Sequence, residues 1–325
     1  MRFLIIRLSS LGDIILTEPV TALIKQQYPD AVIDYITKPL YQDIVKLFPY
    51  VSNVYTDYEN SKFLTSISKV PYDYAIDLHN KLNSRLILNK INAKDKRVYK
   101  KQRLLRSKIV KKQTDESIDS TLSLYLSALT GIIKSPTPLA PWLSTPEATI
   151  PFEIKEDKLK IGIFPGASYE TKRWPSEHFK KAIELLDSNF DTDFYIMGSE
   201  SESGLTSKIT RYFGENCIDL GGKLNFSELA KAISSMDLLI TNDSGPMHLA
   251  SAYNKPLVAI FGATHPRLGF KPMNNKAVVL AKDYPCQPCS LHGGNKCPLK
   301  HYKCMQDITP QEVFELCKEM ITRSL

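Results

Sequence analysis

The sequence predicts an α/β protein built from two doubly wound, Rossmann-like domains that face a central cleft. Its 325 residues are enough for about two domains. In both halves short apolar runs alternate with amphipathic segments, which is typical of a parallel sheet covered by helices on both faces. Between the halves, residues 135–151 contain five prolines and can form neither a helix nor a central strand. We therefore predict an N-terminal domain over residues 1–150 and a C-terminal domain over residues 151–325.

The elements of the N-terminal domain follow from hydrophobic periodicity. An amphipathic pattern predicts a helix from Asp13 to Gln27, and a second pattern predicts one over Ser117–Ala128, which Gly131 is placed to end. Short apolar runs predict the strands Phe3–Leu8, Val32–Thr37, Val51–Thr56, Tyr74–Leu78 and Arg97–Tyr99.

The same rhythm restarts at Lys160 in the C-terminal domain. Helices are predicted over 176–188, 203–213, 226–235 and 245–253, and a closing helix over Pro310–Thr322. The predicted strands are Ile161–Phe164, Phe194–Met197, Leu238–Thr241, Leu257–Phe261 and Val278–Ala281. Because ligands of doubly wound sheets bind at the carboxyl ends of the strands, the functional residues are expected at the strand-to-helix junctions.

The composition excludes several classes of protein. The longest apolar runs, such as Leu257–Gly262, are far shorter than the roughly 18 to 20 residues that span a bilayer. Arg2 and Arg7 bracket a short apolar run without a small-residue cleavage site, which is typical of a strand and not of a signal peptide. With 43% apolar residues, the chain gives no indication of disorder. We expect neither a transmembrane nor a secreted protein.

The net charge of +7 is concentrated in one segment. Residues 1–150 carry 21 basic and 14 acidic side chains, whereas residues 151–325 carry 21 of each. Between Lys81 and Lys112 there are 13 basic residues and one acid, Asp95. This basic block is either a solvated face or a surface for a polyanion such as phosphorylated lipid, a membrane leaflet or nucleic acid. Composition alone does not choose between them.

The junction after the first strand reads Leu8-Ser9-Ser10-Leu11-Gly12-Asp13. A serine and glycine turn before a helix exposes backbone N–H groups that suit an anion. Asp13 lies at or just inside the start of the helix, where aspartate is also favoured as an N-cap. It is either that cap or a carboxylate that acts as a general base.

Three junctions of the C-terminal domain carry groups suited to a nucleotide. After the first strand, Ser168, Thr171, Lys172 and Arg173 supply hydroxyls and cations beside a helix N-terminus, as a diphosphate requires. After a later strand, Asn242-Asp243-Ser244-Gly245-Pro246-Met247-His248 favours phosphate binding. The junction 197–202 offers carboxylates for ribose hydroxyls, although this signal is weak alone. Neither GxGxxG after the first strand nor the GxxxxGK[ST] loop is present, so dehydrogenase and NTPase functions lose their main support.

Four cysteines lie within residues 286–304 with the spacing Cys286-x2-Cys289-x7-Cys297-x6-Cys304. Four thiolates suit a structural zinc ion, although a second CxxC is absent. Reduced thiols are the competing interpretation, and a disulfide is the third, disfavoured without a signal peptide. Cys217 and Cys317 are predicted to be single buried thiols.

Four segments resemble glycosyltransferase family 9, the lipopolysaccharide core heptosyltransferases that use ADP-heptose. They are RLSSLGDIILTEPV, FPGASYETKRWPSEHF, TNDSGPMHLASAYNKPLVAIFGATHP and CQPCSLHGGNKCPLKHYKCMQDITPQEV. The cysteine-rich tail is most similar to the heptosyltransferase II type. The resemblance implies a GT-B fold and an inverting, metal-independent transfer to a membrane-bound acceptor at the cytoplasmic face of the inner membrane.

The resemblance also implies roles for individual residues. Asp13 is at the general-base position. Lys172 and Ser168 are at the diphosphate-binding positions, and Glu202 is where an acid approaches the ribose. Ser244, Gly245 and His248 match the phosphate loop D-[ST]-G-x-x-H, with Asp243 preceding them. The acceptor side is the least similar part; there we assign an anionic-surface role to Ser10, Gly12, Arg85, Lys100, Lys101 and Arg103. Tyr169 and Thr171 have no assigned role, because the loop GASYETKRWP is longer than in some relatives.

The expected partners are an ADP-heptose-like donor, a phosphorylated lipopolysaccharide core acceptor and an anionic membrane surface, with no nucleic acid. A basic acceptor domain suits an anionic lipid at a membrane surface, so the basic block is interpreted as a membrane feature. Two other functions share parts of this pattern. A nucleotide-sugar epimerase of GT-B type would convert the donor without an acceptor. A non-catalytic module that binds anionic lipid or nucleic acid would bind polyanions without releasing ADP.

Overall fold

The computed structural model describes residues 1–324, which form two compact units. The first unit comprises residues 1–103 and 120–145, and the second comprises residues 104–119 and 146–325. The proline-rich segment 135–151 contains neither helix nor strand, as predicted. Residues 104–119 group with the second unit, although they precede the proline-rich segment in the chain.

The first unit is a five-stranded parallel sheet with helices. Its strands are β1 (Arg2–Ile6), β2 (Val32–Ile36), β3 (Asn53–Tyr55), β4 (Tyr72–Asp77) and β5 (Ala93–Val98), in the order β3-β2-β1-β4-β5. Its helices are α1 (Leu11–Ile15), α2 (Glu18–Gln27), α3 (Gln42–Lys46), α4 (Ser61–Ile67) and α5 (Leu82–Lys90). Two more follow along the chain: α6 (Arg103–Val110), which belongs to the second unit from Leu104 onward, and α7 (Thr121–Leu126).

The register of β1 explains why this strand is almost continuously apolar. Phe3 pairs with Ile33 of β2 on one side and with Tyr74 of β4 on the other, so β1 lies in the middle of the sheet. Residues Phe3 to Ile6 are fully buried. The strand order reverses between β1 and β4, which makes their carboxyl ends the switch point where such sheets bind ligands.

The second unit contains a six-stranded parallel sheet. Its strands are β6 (Leu159–Phe164), β7 (Thr192–Gly198), β8 (Cys217–Gly221), β9 (Leu238–Asn242), β10 (Leu257–Phe261) and β11 (Ala277–Ala281). Its later helices are α8 (Ser176–Asp187), α9 (Ser203–Thr210), α10 (Phe226–Ser235), α11 (Gly245–Ala252), α12 (Lys303–Gln306) and α13 (Pro310–Ser324). The order β11-β10-β9-β6-β7-β8 places the switch point between β6 and β9. The two-sheet α/β prediction is therefore confirmed.

Two element predictions are corrected by the structure. The single helix predicted from Asp13 to Gln27 is two helices, because the chain breaks at Leu16 and Thr17 and restarts with Pro19 in the first turn of α2. Strand β8 has no counterpart among the predicted strands, although its thiol, Cys217, is buried as expected. An edge strand with partly exposed polar residues lacks the apolar run of a central strand.

A membrane-spanning helix is not found in the part of the chain that the structure describes. No helix there is both long and apolar enough to cross a bilayer.

Candidate active site

Asp13 lies at the carboxyl end of β1, three residues inside the helix that Ser10 caps. One carboxylate oxygen accepts a hydrogen bond from the Ser10 hydroxyl at 3.0 Å and pairs with the Arg7 guanidinium at 2.5 Å. The other accepts from the Tyr125 hydroxyl at 2.9 Å. The side chain of Asp13 is 29% exposed. The carboxylate is thus held by three groups while one side of it remains open to solvent.

Arg7 is the buried group that orients this carboxylate. Its guanidinium also donates to the carbonyls of Ser9 and Leu78, both at 2.6 Å. Burial disfavours the charge of Arg7, but Asp13 and the surrounding tyrosines overcome it and raise the pKa of the guanidinium. Burial likewise raises the pKa of Tyr125 well above its usual value. Arg7 therefore stays cationic and Tyr125 stays a neutral hydrogen-bond donor to Asp13.

Cations and a neutral histidine surround the same edge of the sheet. His79, 3% exposed, follows β4, and burial together with Arg7 and Lys81 lowers its pKa to about 3. Lys101 follows β5 and donates to the Asn80 carbonyl at 2.8 Å. Burial and the neighbouring cations lower the pKa of Lys101 to about 8. Sequence reasoning missed His79, since a single histidine after a strand carries no distinctive pattern.

The structure divides the basic block instead of presenting it as one surface. Lys94 pairs with Asp73 at 2.7 Å, and Arg97 pairs with Asp95 at 2.7 Å. Arg106 is only 9% exposed and lies over the ring of Phe270, which belongs to the same second unit. Of the acceptor-side residues predicted from the sequence, Gly12 is buried within α1, Lys101 is half-buried, and Ser10, Arg85, Lys100 and Arg103 are exposed.

Lys172 is the central cation of the second unit. It lies in the loop between β6 and α8, and its ammonium group contacts the Asp243 carboxylate at 2.9 Å. Thr264 donates to the same carboxylate oxygen at 2.6 Å. The Lys172 side chain is 14% exposed, whereas Asp243 is 4% exposed. Asp243 thus fixes the position of the lysine, and its own charge is already paired.

Asn242, the last residue of β9, fastens the loop that follows β6. Its amide nitrogen donates to the carbonyls of Pro165 and Gly166 at 2.8 and 3.2 Å, and its oxygen accepts from the Trp174 backbone at 3.0 Å. Asn242 is fully buried. Asn242 belongs to the segment 242–248 that was predicted from the sequence to bind phosphate. Its support of the loop after β6 could not be predicted, because its partners lie about 70 residues away in the chain.

The N-terminus of α11 lies at the switch point of the second sheet. Ser244 is the N-cap in an extended conformation, and its hydroxyl is buried without a hydrogen-bond partner in the described residues. Gly245 and Pro246 open the helix, and His248 is buried in its first turn. An N-terminus of this kind binds anions through its free N–H groups and the helix dipole.

Glu202 and Ser168 occupy two loops of the same edge. The Glu202 carboxylate accepts from the backbone and the hydroxyl of Ser199, both at 2.8 Å. It also lies against Gly166, where a Cβ atom would collide with it. Ser168, two residues further, is exposed. The structure therefore brings Glu202 beside the start of the loop that carries Ser168 and Lys172.

Most of the chain matches the model of a known protein family. The model of glycosyltransferase family 9 (heptosyltransferase) matches residues 61–303, which is more than half of the chain. The chain belongs to this family. It is accordingly a glycosyltransferase, and its α/β architecture is the fold of that family's solved structures.

The similarity to known proteins covers nearly the whole chain. The lipooligosaccharide heptosyltransferase 2 of Campylobacter jejuni is 28% identical over 324 residues, covering 97% of this chain and 96% of its own. Among solved structures, the ADP-heptose lps heptosyltransferase II of E. coli superposes with a TM-score of 0.79 at 23% identity and covers 100% and 99% of the two chains. The E. coli heptosyltransferase WaaC with ADP-2-deoxy-2-fluoro heptose superposes with a TM-score of 0.68 at 17% identity, covering 98% and 99%. The latter two likenesses concern the fold.

The four cysteines of residues 286–304 lie near one another, since burial and then the neighbouring thiols of Cys289, Cys286 and Cys297 raise the pKa of Cys304. Cys286 and Cys289 are adjacent, with the Cys289 thiol 3.2 Å from the Cys286 carbonyl and the Cys286 sulfur 3.9 Å from His301. No three His, Cys, Asp or Glu side chains of residues 1–324 are grouped as ligands. The zinc site that the cysteine spacing suggested therefore stays a prediction. All six cysteines are free thiols, and burial raises the pKa of Cys304 to about 12.

The cysteine-rich segment, residues 286–304, supports the loop that carries Lys172. The backbone N–H of Thr171 donates to the Gly294 carbonyl at 3.1 Å, and the Gly294 N–H donates to the Thr171 hydroxyl at 2.8 Å. Gly293 has a φ of +93° and lies so close to Lys172 that a Cβ atom would be 2.9 Å from the lysine side chain. Thr171, predicted from the sequence to supply a hydroxyl to a diphosphate, is therefore the buried link between the cysteine-rich segment and the Lys172 loop.

Proposed function

We propose that this glycosyltransferase moves a heptose from ADP-heptose to a hydroxyl of the lipopolysaccharide inner core, with inversion at the anomeric carbon. One observation carries the proposal: each sheet has one of the two required chemistries at its switch point. The first sheet has an oriented carboxylate, Asp13, and the second has a cation, Lys172, beside a helix N-terminus. The names of the similar proteins, which are heptosyltransferases, support the choice of sugar.

The donor binds the second unit through its diphosphate. Lys172 and the N-terminus of α11 offset the phosphate charges, and the hydroxyls of Ser168 and Ser244 donate to phosphate oxygens. Gly245 allows the backbone to approach the phosphates closely, and His248 faces them from the first turn. The Asp243 carboxylate would repel the diphosphate if Lys172 did not neutralise the carboxylate. The role of Asp243 is therefore to position Lys172. Glu202 accepts hydrogen bonds from the ribose hydroxyls.

Asp13 is the catalytic base. Its carboxylate takes the proton of the acceptor hydroxyl while that oxygen forms a bond to the anomeric carbon. The bond between this carbon and the diphosphate breaks from the opposite face, so the configuration inverts and ADP leaves with the bonding electrons. Arg7 and Tyr125 hold the carboxylate in one orientation throughout, and the proton then passes from Asp13 to water.

The leaving group needs stabilisation because an additional negative charge develops on the β-phosphate as the bond to the anomeric carbon breaks. Lys172 and the dipole of α11 supply fixed positive charge at that position, and preorganised charge of this kind lowers the barrier without reorganisation during the reaction. We therefore propose that the transfer requires no metal ion.

The acceptor is a phosphorylated core lipid. The first unit has a positively charged edge near Asp13, formed by Arg85, Lys100, Lys101 and Arg103. Ser10 and Gly12 form the turn that precedes Asp13. Positive charge of this kind attracts anionic headgroups and acidic sugars. We propose that the enzyme works as a peripheral protein at the cytoplasmic face of the inner membrane.

The donor assignment is tested by a binding screen. Isothermal titration calorimetry should show that ADP-heptose and ADP bind the protein more tightly than the UDP-, GDP- and CMP-sugars do. Preference for a different base would contradict the ADP-heptose assignment.

Incubation with the donor alone separates transfer from epimerisation. We expect the sugar of ADP-heptose to remain unchanged by NMR until a soluble inner-core fragment is added, after which ADP is released and the new linkage has the inverted configuration. Conversion of the sugar without the fragment would indicate an epimerase. Binding of anionic lipid without any ADP release would indicate a non-catalytic module.

A further inference from the structure

Helix α5 (Leu82–Lys90) exposes two leucines on the surface of the first unit. Leu82 is 78% exposed and Leu86 is 55% exposed. Because they are four positions apart, they lie on the same face of the helix, one turn above the other. A pair of large apolar side chains on one surface, rimmed by polar residues, marks an interaction site more strongly than single exposed leucines do.

The opposite face of α5 is packed into the unit, which fixes the direction of the two leucines. Ser84, Ile87 and Leu88 are buried, and the Ser84 hydroxyl donates to the Asp77 carboxylate at 2.8 Å. Asp77 also accepts from the backbone of His79 at 2.8 Å at the end of β4. Rotation of α5 that hid Leu82 and Leu86 would expose this apolar face and break these bonds, so the leucines remain at the surface.

The charged side chains that flank the leucines on α5 are all cations. Lys81, Arg85 and Lys90 are exposed, and residues 78–94 include no aspartate or glutamate. None of these three cations forms an ion pair with any residue of the range 1–324, in contrast to Lys94 and Arg97. Their charge is therefore available to an anionic partner. In the second half of the basic block, by contrast, Arg106 is buried.

Helix α5 begins at the same edge of the sheet as the candidate base. It starts five residues after β4 ends, and the connecting loop is bonded to Arg7 through the Leu78 carbonyl at 2.6 Å. Arg7 in turn pairs with Asp13. Because α5 returns across the sheet from that edge, Leu82 is the exposed leucine nearest to Asp13 on this helix, and Leu86 lies one turn further away.

We propose that α5 is the surface by which this protein enters an anionic bilayer: Leu82 and Leu86 insert among the lipid chains at the interface, while Lys81, Arg85 and Lys90 meet the phosphate headgroups. An apolar stripe between cations is the pattern of helices that lie in the interfacial plane of a membrane. The inference rests on the proposed function in one respect, since a lipid-linked acceptor must be reached at such a surface. It specifies which part of the basic block makes the contact.

Helix α6 (Arg103–Val110) is the weaker candidate for the same contact. It exposes one leucine, Leu104, and one of its three cations, Arg106, is buried over Phe270. It also belongs to the second unit from Leu104 onward, whereas α5 belongs to the unit that carries Asp13.

The experiment measures sedimentation of the full chain with vesicles of phosphatidylglycerol and phosphatidylethanolamine and with vesicles of pure phosphatidylcholine. The wild-type protein should bind the anionic vesicles only, and added salt should weaken the binding. L82Q/L86Q should lower the partition coefficient by roughly tenfold or more, because two partly inserted leucine side chains are lost. R85Q/K90Q should lower it by a similar factor on anionic vesicles.

The matched control is L40Q, since Leu40 is 64% exposed in the same unit but is followed closely by the acid Asp43. It should bind like the wild type. Equal vesicle binding by L82Q/L86Q and the wild type would overturn the proposal. It would also be overturned if L82Q/L86Q changed the oligomeric state and left vesicle binding unchanged, because α5 would then be a protein interface.

Activity on a soluble inner-core fragment separates this inference from the proposed function. L82Q/L86Q should keep the wild-type rate on the fragment and lose rate on membrane-embedded acceptor. Absence of vesicle binding by the wild type with intact transfer to the fragment would remove only the role of α5. Intact vesicle binding without any heptose transfer would remove only the proposed function.

Discussion

At the scale of single residues, the candidate site depends on groups whose partners are distant in sequence. Asp13 could be predicted from its place after the first strand, but Tyr125, which donates to it, is 112 residues away. Lys172 is predicted from the sequence to bind phosphate, whereas its pairing with Asp243 follows only from the adjacency of β6 and β9. Sequence patterns identify chemically suitable residues, and the folded sheet determines which of them meet.

Lys172→Ala should weaken ADP binding by roughly tenfold or more, because a charge-assisted contact to the diphosphate is lost and Asp243 is left as an uncompensated charge nearby. Isothermal titration calorimetry with ADP measures this. Lys181→Ala is the control, since Lys181 is 60% exposed and pairs with Glu184 on the surface of α8. An equal dissociation constant for Lys172→Ala and the control would refute the role of Lys172.

Glu18 predicts a pH dependence of stability. It is 2% exposed and accepts a hydrogen bond from the Trp142 backbone at 2.9 Å, and burial raises its pKa to about 7 despite that bond. The folded state therefore holds the proton more tightly than the unfolded state does. Stability contributed by Glu18 is full below the unfolded pKa near 4.5 and is lost as the pH rises to about 7.

Glu18→Gln should remove this loss because the amide cannot ionise and still accepts the Trp142 hydrogen bond. Urea unfolding, followed by the fluorescence of the two tryptophans, should give the variant a free energy of unfolding higher by up to about 3 kcal/mol at pH 8. The advantage should vanish near pH 4.5. Glu59→Gln, at an exposed site of the same unit, should show no such difference. A pH-independent effect of Glu18→Gln would show that Glu18 is ionised in the folded state.

At the scale of elements, the central strands and the junction loops were predictable, and the supporting contacts were not. β1, β6, β9 and β10 each contain an unbroken run of at least three apolar residues and are buried almost throughout, so their pattern is unambiguous. Edge strand β8 is short and has Asp219 at its centre, so its pattern is too weak to predict it. The support of the Lys172 loop by the cysteine-rich segment joins Thr171 to Gly294, and no local pattern encodes a contact across 123 residues.

Gly293→Ala tests that support. The position has a φ of +93°, and a Cβ atom there would press on Lys172 at 2.9 Å and on Tyr169 at 3.0 Å. Displacement of the lysine should weaken ADP binding by roughly threefold to tenfold, in addition to the backbone cost of about 1 kcal/mol for a left-handed alanine. Calorimetry with ADP and thermal unfolding measure the two effects.

Gly204→Ala is the matched control for Gly293→Ala. Gly204 lies in helix α9, and no atom lies within 4 Å of the position that an alanine Cβ would occupy. Alanine there should raise stability by about 0.5 to 1 kcal/mol and leave ADP binding unchanged. Equal ADP affinity for both variants would mean that the cysteine-rich segment does not position Lys172.

At the scale of the whole molecule, the two parallel sheets were predictable from hydrophobic periodicity. The grouping of residues 104–119 with the second unit was not, since it depends on contacts such as those from Arg267 to the carbonyls of Thr114 and Glu116. The first unit nevertheless carries the whole net charge of +7, with 17 basic and 10 acidic side chains, because residues 104–119 have nearly equal numbers of each. The cations of α5 that form no ion pair within residues 1–324, and not the size of the charge, direct attention to a membrane surface.

The most direct measurement is heptose transfer by Asp13→Asn, followed by mass spectrometry with ADP-heptose and a soluble inner-core fragment. Loss of the base should lower kcat on the order of 10²-fold or more, while the dissociation constant for ADP stays at the wild-type value. Asp43→Asn, at an exposed aspartate of the same unit, should retain the wild-type rate. Near-wild-type turnover by Asp13→Asn would contradict its role as the catalytic base.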